Sequence, residues 1–235
     1  MKATTRTHIG NVRASNQDAV LALDGPYGLY GVADGMGGHQ AGEVASLMAA
    51  TILRDALAGQ EPSVDKLMRG FRRANDAVYE QSLSDSQYSG MGTTMTALWD
   101  DGDYLLLGHV GDSRAYVFED GQLHQVSVDH SVVGEMVRSG AITEAQARTH
   151  PYRNVITRAV GTEESIRTDV MELPKLAGAK WLLCSDGLTD MVEDGEIADT
   201  LRTHEAEAAV DRLIELALLH GGKDNVSVLL LEVDA

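Results

Sequence analysis

The sequence predicts an α+β protein, a four-layer α-β-β-α sandwich of two antiparallel sheets flanked by helices. Three observations lead there. Nine apolar stretches of strand length punctuate the 235 residues, and most are joined by short turns, which favours antiparallel pairing. Helical periodicity is confined to a pair of segments after the second strand and one segment before the last. That order fits two packed sheets with helices outside them better than a doubly wound parallel sheet.

Taken in order, "DAVLAL" and "YGLYGVA" read as strands. A helix then runs from near His39 to about Leu57, with Val44, Met48, Ile52 and Leu53 on one face. A second starts near Val64 and passes Tyr79, turning Leu67, Phe71 and Val78 inward and Arg69, Arg72 and Arg73 outward. The strands "GTTMTALWD", "DYLLLGHVG", "SRAYVFE" and "GQLHQVS" follow. "DHSVVGEMVRSGAITEAQARTHPYRN" interrupts them with short helical pieces and polar joints, and is expected to form a flap beside a site at about 130–153. After "IRTDVMEL" and "KWLLCSD", a third helix carries Ala206, Val210, Leu213, Ile214 and Ala217 in a stripe, and Gly221 stops it. The strand "VSVLLLEV" closes the series. No internal repeat or long linker divides the chain, so residues 1–235 are expected to form a single domain.

A hydrophobic fraction of 43% with 23% charged residues describes an ordinary soluble globular protein. The formal net charge of -17 argues against nucleic acid, which demands basic patches, and against an anionic membrane surface. No apolar run is long enough to span a bilayer, and "MKATTRTHIGNVR" lacks the apolar core of a signal peptide. The single cysteine, Cys184, fits a reducing compartment and lies in an apolar strand, where packing is its expected role. A cytoplasmic location follows as the expectation. The chain ends at "LLLEVDA", so any regulation is expected from partners or from the flap.

The chemistry is carried by aspartates at strand ends. Asp34 ("YGVADG"), Asp112 ("LLLGHVGDS") and Asp186 ("WLLCSDG") each close an apolar strand beside glycine. Asp224 ("GGKDN") and Asp18 ("RASNQD") stand just before one. Any one Asp-Gly marks only a turn. Together they can meet at one edge of a sandwich, where unpaired carboxylates repel one another and call for cations. Carboxylate and carbonyl oxygens suit Mg²⁺ or Mn²⁺ better than Ca²⁺, and no Cys- or His-rich metal spacing lies near.

"RASNQD", "VADGMGGH", "GTT", "GDSRAY", "DHS", "NVITRAVG", "CSDGL" and "GGKDNVSV" together resemble the ordered motifs of the metal-dependent PPM (PP2C-type) serine/threonine protein phosphatases, in particular the small bacterial ones. The resemblance runs from Thr7 to about Val233. It implies hydrolysis of phosphoserine and phosphothreonine by a water activated between two divalent metals, Mn²⁺ or Mg²⁺. By the same resemblance Asp34 bridges the metals and the carbonyl of Gly35 joins one shell. Asp186 and Asp224 complete the first site, Asp18 supports the second, mostly through ordered water, and Asp112 with Asp186 matches a third site of bacterial relatives. Arg13 matches the arginine that grips the substrate phosphate, and His39 the histidine proposed as general acid. Gln17 departs from the pattern, standing where many relatives carry glutamate.

Implied partners are phosphorylated proteins, among them a serine/threonine kinase and its substrates, met by a monomer. Two other readings compete with the enzyme: a binding module that recognises phosphoproteins without hydrolysing them, and a structural metal protein. The filled aspartate set speaks for catalysis, and a purely structural metal would leave Arg13 and His39 without a role.

Overall fold

Trp181, Leu182, Leu183 and Cys184 form a strand with no exposed position, which requires a sheet covered on both faces. The computed structural model, which describes residues 1–38 and 40–234, supplies both covers. Its strands are β1 (Lys2–His8), β2 (Asp18–Leu23), β3 (Leu29–Met36), β4 (Gly92–Thr93), β5 (Met95–Asp100), β6 (Tyr104–Val110), β7 (Arg114–Glu119), β8 (Gln122–Gln125), β9 (Asp169–Pro174), β10 (Lys180–Cys184) and β11 (Val226–Glu232). Its helices are α1 (Ala41–Leu57), α2 (Val64–Ser84), α3 (Val132–Arg138), α4 (Glu144–Arg148), α5 (Asp186–Thr189), α6 (Asp194–Thr203) and α7 (Ala206–Leu219). One sheet has the order β1-β11-β10-β7-β8 and the other β2-β3-β5-β6-β9, with β4 added on β3. The paired strands are antiparallel throughout.

The two-residue period of a strand sorts the side chains into layers. Tyr30, Val32, Leu98 and Leu107 of one sheet meet Val117, Trp181, Leu183 and Leu229 of the other between them. Leu29, Ala33, Ala97 and Trp99 point outward to α1 and α2, where Leu53, Leu67 and Phe71 cover them. On the far side Leu182, Cys184, Val228 and Leu230 pack under Ile197 and Leu201 of α6 and Val210 and Leu213 of α7. The four-layer α-β-β-α sandwich is therefore the observed architecture.

Several details differ from expectation. α1 buries Ala45, Ala49, Leu53 and Leu57, whereas Val44, Met48 and Ile52 are only partly covered. Small residues win that face because the start of the helix presses on β3: a Cβ on Gly35 would lie 1.9 Å from the carbonyl oxygen of Gly42. β1 was not anticipated because its sequence, KATTRTH, is mostly polar and buries only Thr4 fully. As an edge strand it needs little more, and Arg6 ties it to Glu207 and Asp211 of α7 at 2.9 and 2.6 Å. α5 is a single turn, and α6 buries only Ile197, Thr200 and Leu201, too short a stripe to read beforehand.

Leu183 lies fully buried between the sheets and Leu219 is 72% exposed at the end of α7. In urea denaturation, Leu183→Ala is expected to cost about 2–5 kcal/mol. Leu219→Ala should stay within roughly 0.5 kcal/mol of wild type.

Candidate metal centre

The sandwich gathers the predicted aspartates at one end. Asp18 opens β2 and stands opposite Asp34 in the β2–β3 register. Asp112 lies in the turn that carries the chain from β6 to β7, hence from one sheet to the other. Asp186 follows β10 as the first residue of α5, and Asp224 precedes β11. Residues far apart in sequence thus meet because both sheets end at the same edge.

Backbone locks hold each carboxylate in place. The Asp34 carbonyl accepts from Thr93 Oγ1 at 2.8 Å and from Thr94 N–H at 2.9 Å, while its own N–H donates to Thr94 Oγ1 at 2.9 Å. Thr94 Oγ1 also meets Ser113 Oγ at 2.7 Å, which joins the Asp34 strand to the Asp112 turn. Arg114 grips Asp129 through Nε and Nη2, down to 2.7 Å, and so ties that turn to the segment after β8. Asn225 accepts from Gln17 N–H and donates to the carbonyls of Ile9 and Ser15, pinning the loop that bears Arg13. Gly187 has no room for a side chain, since a Cβ there would fall 1.9 Å from the Asn225 carbonyl oxygen.

Asp18, Asp34, Asp112 and Asp186 are half-buried, and Asp112 and Asp186 line a cleft. Burial, and then the neighbouring Asp18, Asp186 and Asp112 charges, hold the Asp34 carboxyl well above its ordinary range. Asp186 is raised in the same way, by burial first and then by Asp112, Asp190 and Asp224. Burial pushes Asp112 up to about 7 and Asp18 up to about 6, the latter against hydrogen bonds from Ser227 and Ser185. Asp34 and Asp186 lie close enough to share a proton. Asp18 Oδ1 and Asp186 Oδ1 are shut off from solvent with no hydrogen-bond partner.

Bare buried carboxylate oxygens among mutually repelling carboxylates are a donor set that fits hard divalent cations. Among the described residues no three His, Cys, Asp or Glu side chains already form a closed ligand cage. The donor chemistry therefore fits a divalent cation, while the cage itself is not preformed.

Arg13 reaches this edge from the N-terminal loop, with Nη2 on Asp224 Oδ2 at 2.6 Å and its side chain half exposed. His39 lies outside the described residues. The Gln17 carbonyl accepts from Gly35 N–H and from Ser46 Oγ, so that residue also braces the β3 end. Cys184 is fully buried, and burial pushes its thiol up to about 12, which leaves it inert. His109 is buried beside His130, and burial takes it down to about 4, so it stays neutral. His130 accepts from Gly111 N–H at Nδ1 and therefore presents Nε2–H to Asp169 Oδ2 at 3.2 Å. His130 also donates its backbone N–H to the Gly111 carbonyl and so holds the Asp112 turn, while His109 bonds Thr96 Oγ1 and the Val128 carbonyl.

Residues 130–153 contain α3 and α4 and are closed at their base by Val132 N–H to the Val155 carbonyl and Thr157 N–H to the His130 carbonyl. Arg148 Nη1 donates to the Thr189 carbonyl at 3.0 Å, fastening α4 over α5. Between this segment and the carboxylates runs a cleft of about 220 Å³, lined by Asp112 and Asp186, by Val133 and Val137, and by Arg148 and Arg153. Sequence reasoning passes over Ser113, Ser185 and Asn225. The available signal was their position, each adjacent to a candidate aspartate.

A family model for protein phosphatase 2C matches residues 6–217. The serine/threonine protein phosphatase PstP of Mycobacterium tuberculosis is 42% identical over 236 residues, which cover 99% of this chain but only 45% of that protein. The chain thus spans about half the length of that relative. The serine/threonine phosphatase stp of Listeria monocytogenes is 37% identical, with 100% of this chain and 96% of that protein covered. A crystal structure of the M. tuberculosis PstP superposes with a TM-score of 0.92 at 39% identity, covering 100% of this chain and 99% of the other. A PstP catalytic domain in complex with two manganese ions does so with a TM-score of 0.89 at 39% identity, covering 99% and 98%. The chain belongs to the protein phosphatase 2C family.

In chelator-treated protein, folded Asp18 and Asp112 keep protons up to about 6 and about 7, whereas the unfolded chain releases them near the ordinary 3.8. The folded state then binds more protons at these two groups across that window, so their contribution to stability is full below about pH 4 and is lost as pH rises toward about 7. Thermal melts at stepped pH should show the decline. Asp34→Asn should flatten it and raise Tm at neutral pH, by roughly 2–4 °C for each kcal/mol of repulsion relieved.

Proposed function

We propose that this chain hydrolyses phosphoserine and phosphothreonine in proteins with the help of Mn²⁺ or Mg²⁺. One observation carries the reading: Asp18, Asp34, Asp112 and Asp186 crowd one edge beside an arginine, with unpartnered buried oxygens on Asp18 and Asp186. Asp34, Asp186 and Asp224 would hold the first of two cations, Asp34 and Asp18 the second, Asp18 mostly through ordered water, with the Gly35 carbonyl joining the shell of one. Asp112 with Asp186 is assigned to a third. When bound, such cations neutralise phosphate charge and acidify an attacking water.

The chain's own residues do the rest. Arg13 offers a planar fork of donors to the phosphate oxygens. Its present contact with Asp224 keeps that fork at the edge of the site and offsets the repulsion between an anionic substrate and an acidic protein. His39 is assigned to donate a proton to the departing serine or threonine oxygen, a role resting on its motif. Residues 130–153 serve as a flap that shapes the substrate cleft, and residues 1–235 as one phosphatase domain. The protein acts as a cytoplasmic monomer that opposes a serine/threonine kinase, with no nucleic acid or membrane partner.

A non-catalytic phosphoprotein-binding module would need no intact aspartate set, and here every matching position holds aspartate.

The test is phosphate release from a phosphothreonine peptide as Mn²⁺ is titrated into chelator-stripped protein. Release should depend on Mn²⁺. Asp186→Asn should lower kcat about a hundredfold or more, equivalent to at least ~2.7 kcal/mol of lost transition-state stabilisation. Arg13→Ala should raise KM for the peptide as well as lower kcat. A folded, Mn²⁺-loaded wild type that binds the peptide and releases nothing overturns the catalytic reading in favour of the binding module.

A further inference from the structure

Asp18 belongs to the sheet of β2 and β3, yet the two hydroxyls beside its carboxylate come from the other sheet. Ser185 Oγ donates to Asp18 Oδ2 at 2.8 Å and accepts from Ser227 N–H at 2.9 Å. Ser227 Oγ meets Thr7 Oγ1 of β1 at 2.8 Å, and Thr7 Oγ1 accepts from Asn16 Nδ2 at 2.8 Å. Asn16 Oδ1 then accepts from the N–H of Asp18 itself at 3.2 Å. These bonds close a ring: Asp18, Ser185, Ser227, Thr7, Asn16 and Asp18 again. Ser185 and Ser227 are fully buried.

The ring treats the two Asp18 oxygens differently. Oδ2 is tied, while Oδ1 is buried and bare. Strand pairing alone does not require the Ser185 hydroxyl to face Asp18, because Ser185 N–H already donates to the Ser227 carbonyl at 3.1 Å. A carboxylate with one oxygen fixed by a buried donor presents the other in a single direction, and orienting partners of this kind govern how well a ligand binds its metal.

We propose that Ser185 and Ser227 are positioning residues that clamp Asp18 across the two sheets, present its Oδ1 to the second cation, and so set that cation's affinity. The inference rests on the metal-dependent reading above. It assigns the hydroxyls a task distinct from holding the fold, and the task is specific to one of the two cations.

Calorimetric titration of Mn²⁺ into the chelator-stripped full chain tests it, comparing wild type with Ser185→Ala. One of the two binding steps should weaken by about ten- to a hundredfold while the other keeps its affinity. At saturating Mn²⁺ the KM for the phosphopeptide should be unchanged. Ser185→Cys, which keeps a weak donor on the same stem, should recover part of the lost affinity. If Ser185→Ala fails to fold, Ser227→Ala carries the same expectation, since it leaves every backbone bond in place. Wild-type affinity at both steps in a folded variant, or equal weakening of both, overturns the proposal. A wild type that binds no pair of Mn²⁺ ions overturns the metal reading itself, and this inference with it.

Discussion

Repulsion among carboxylates held in one half-buried cluster is the constraint that the rest of this structure serves. Asp34 sits at its centre, with Asp18, Asp186 and Asp112 all adding to the burial that disfavours its charge. Such a cluster opposes folding on its own. It persists because the sandwich that carries it is apolar through three layers of contact, and because each aspartate is anchored through its backbone or its neighbours. Stability is made elsewhere and used here.

The anchoring follows a consistent scheme. Beside Asp112, Asp186 and Asp224 the adjacent residue supplies a short polar side chain that bonds across to a distant part of the chain. Ser113 reaches Thr94, Ser185 reaches Asp18, and Asn225 reaches the loop of Ile9, Ser15 and Gln17. Short side chains suit this work because they have little rotamer freedom to lose and their reach is fixed. Gly35 and Gly187 complete the scheme by letting backbone pass where a Cβ would collide. The backbone around these aspartates is thereby tied down, although the ligand cage itself is not preformed among the described residues.

Residues 130–153 are bound differently. Their base is closed by backbone bonds and Arg148 fastens them over α5, but α4 buries none of its residues and Tyr152 is 59% exposed. A segment with so few buried contacts opens at lower cost than the sheets beneath it. Arg148 and Arg153 on this segment line the cleft together with Asp190, and their charges partly offset the burial that raises its carboxyl.

The sequence by itself determined the layers and the identity of the aspartates. Apolar runs such as Trp181–Cys184 declare a strand buried on both sides, and Asp beside Gly at three strand ends declares a shared edge. Those signals are local, and locality is why they were legible. β1 and α6 were not, because a polar edge strand and a helix with a three-residue stripe carry too little periodicity to stand out. Only the tertiary structure decided which face of α1 is buried, since that depends on how closely Gly42 approaches Gly35. It alone decided, too, that Ser185 and Ser227 reach Asp18 from the opposite sheet. Bonds between residues more than 150 positions apart arise from packing, and no spacing within a short stretch of chain encodes them.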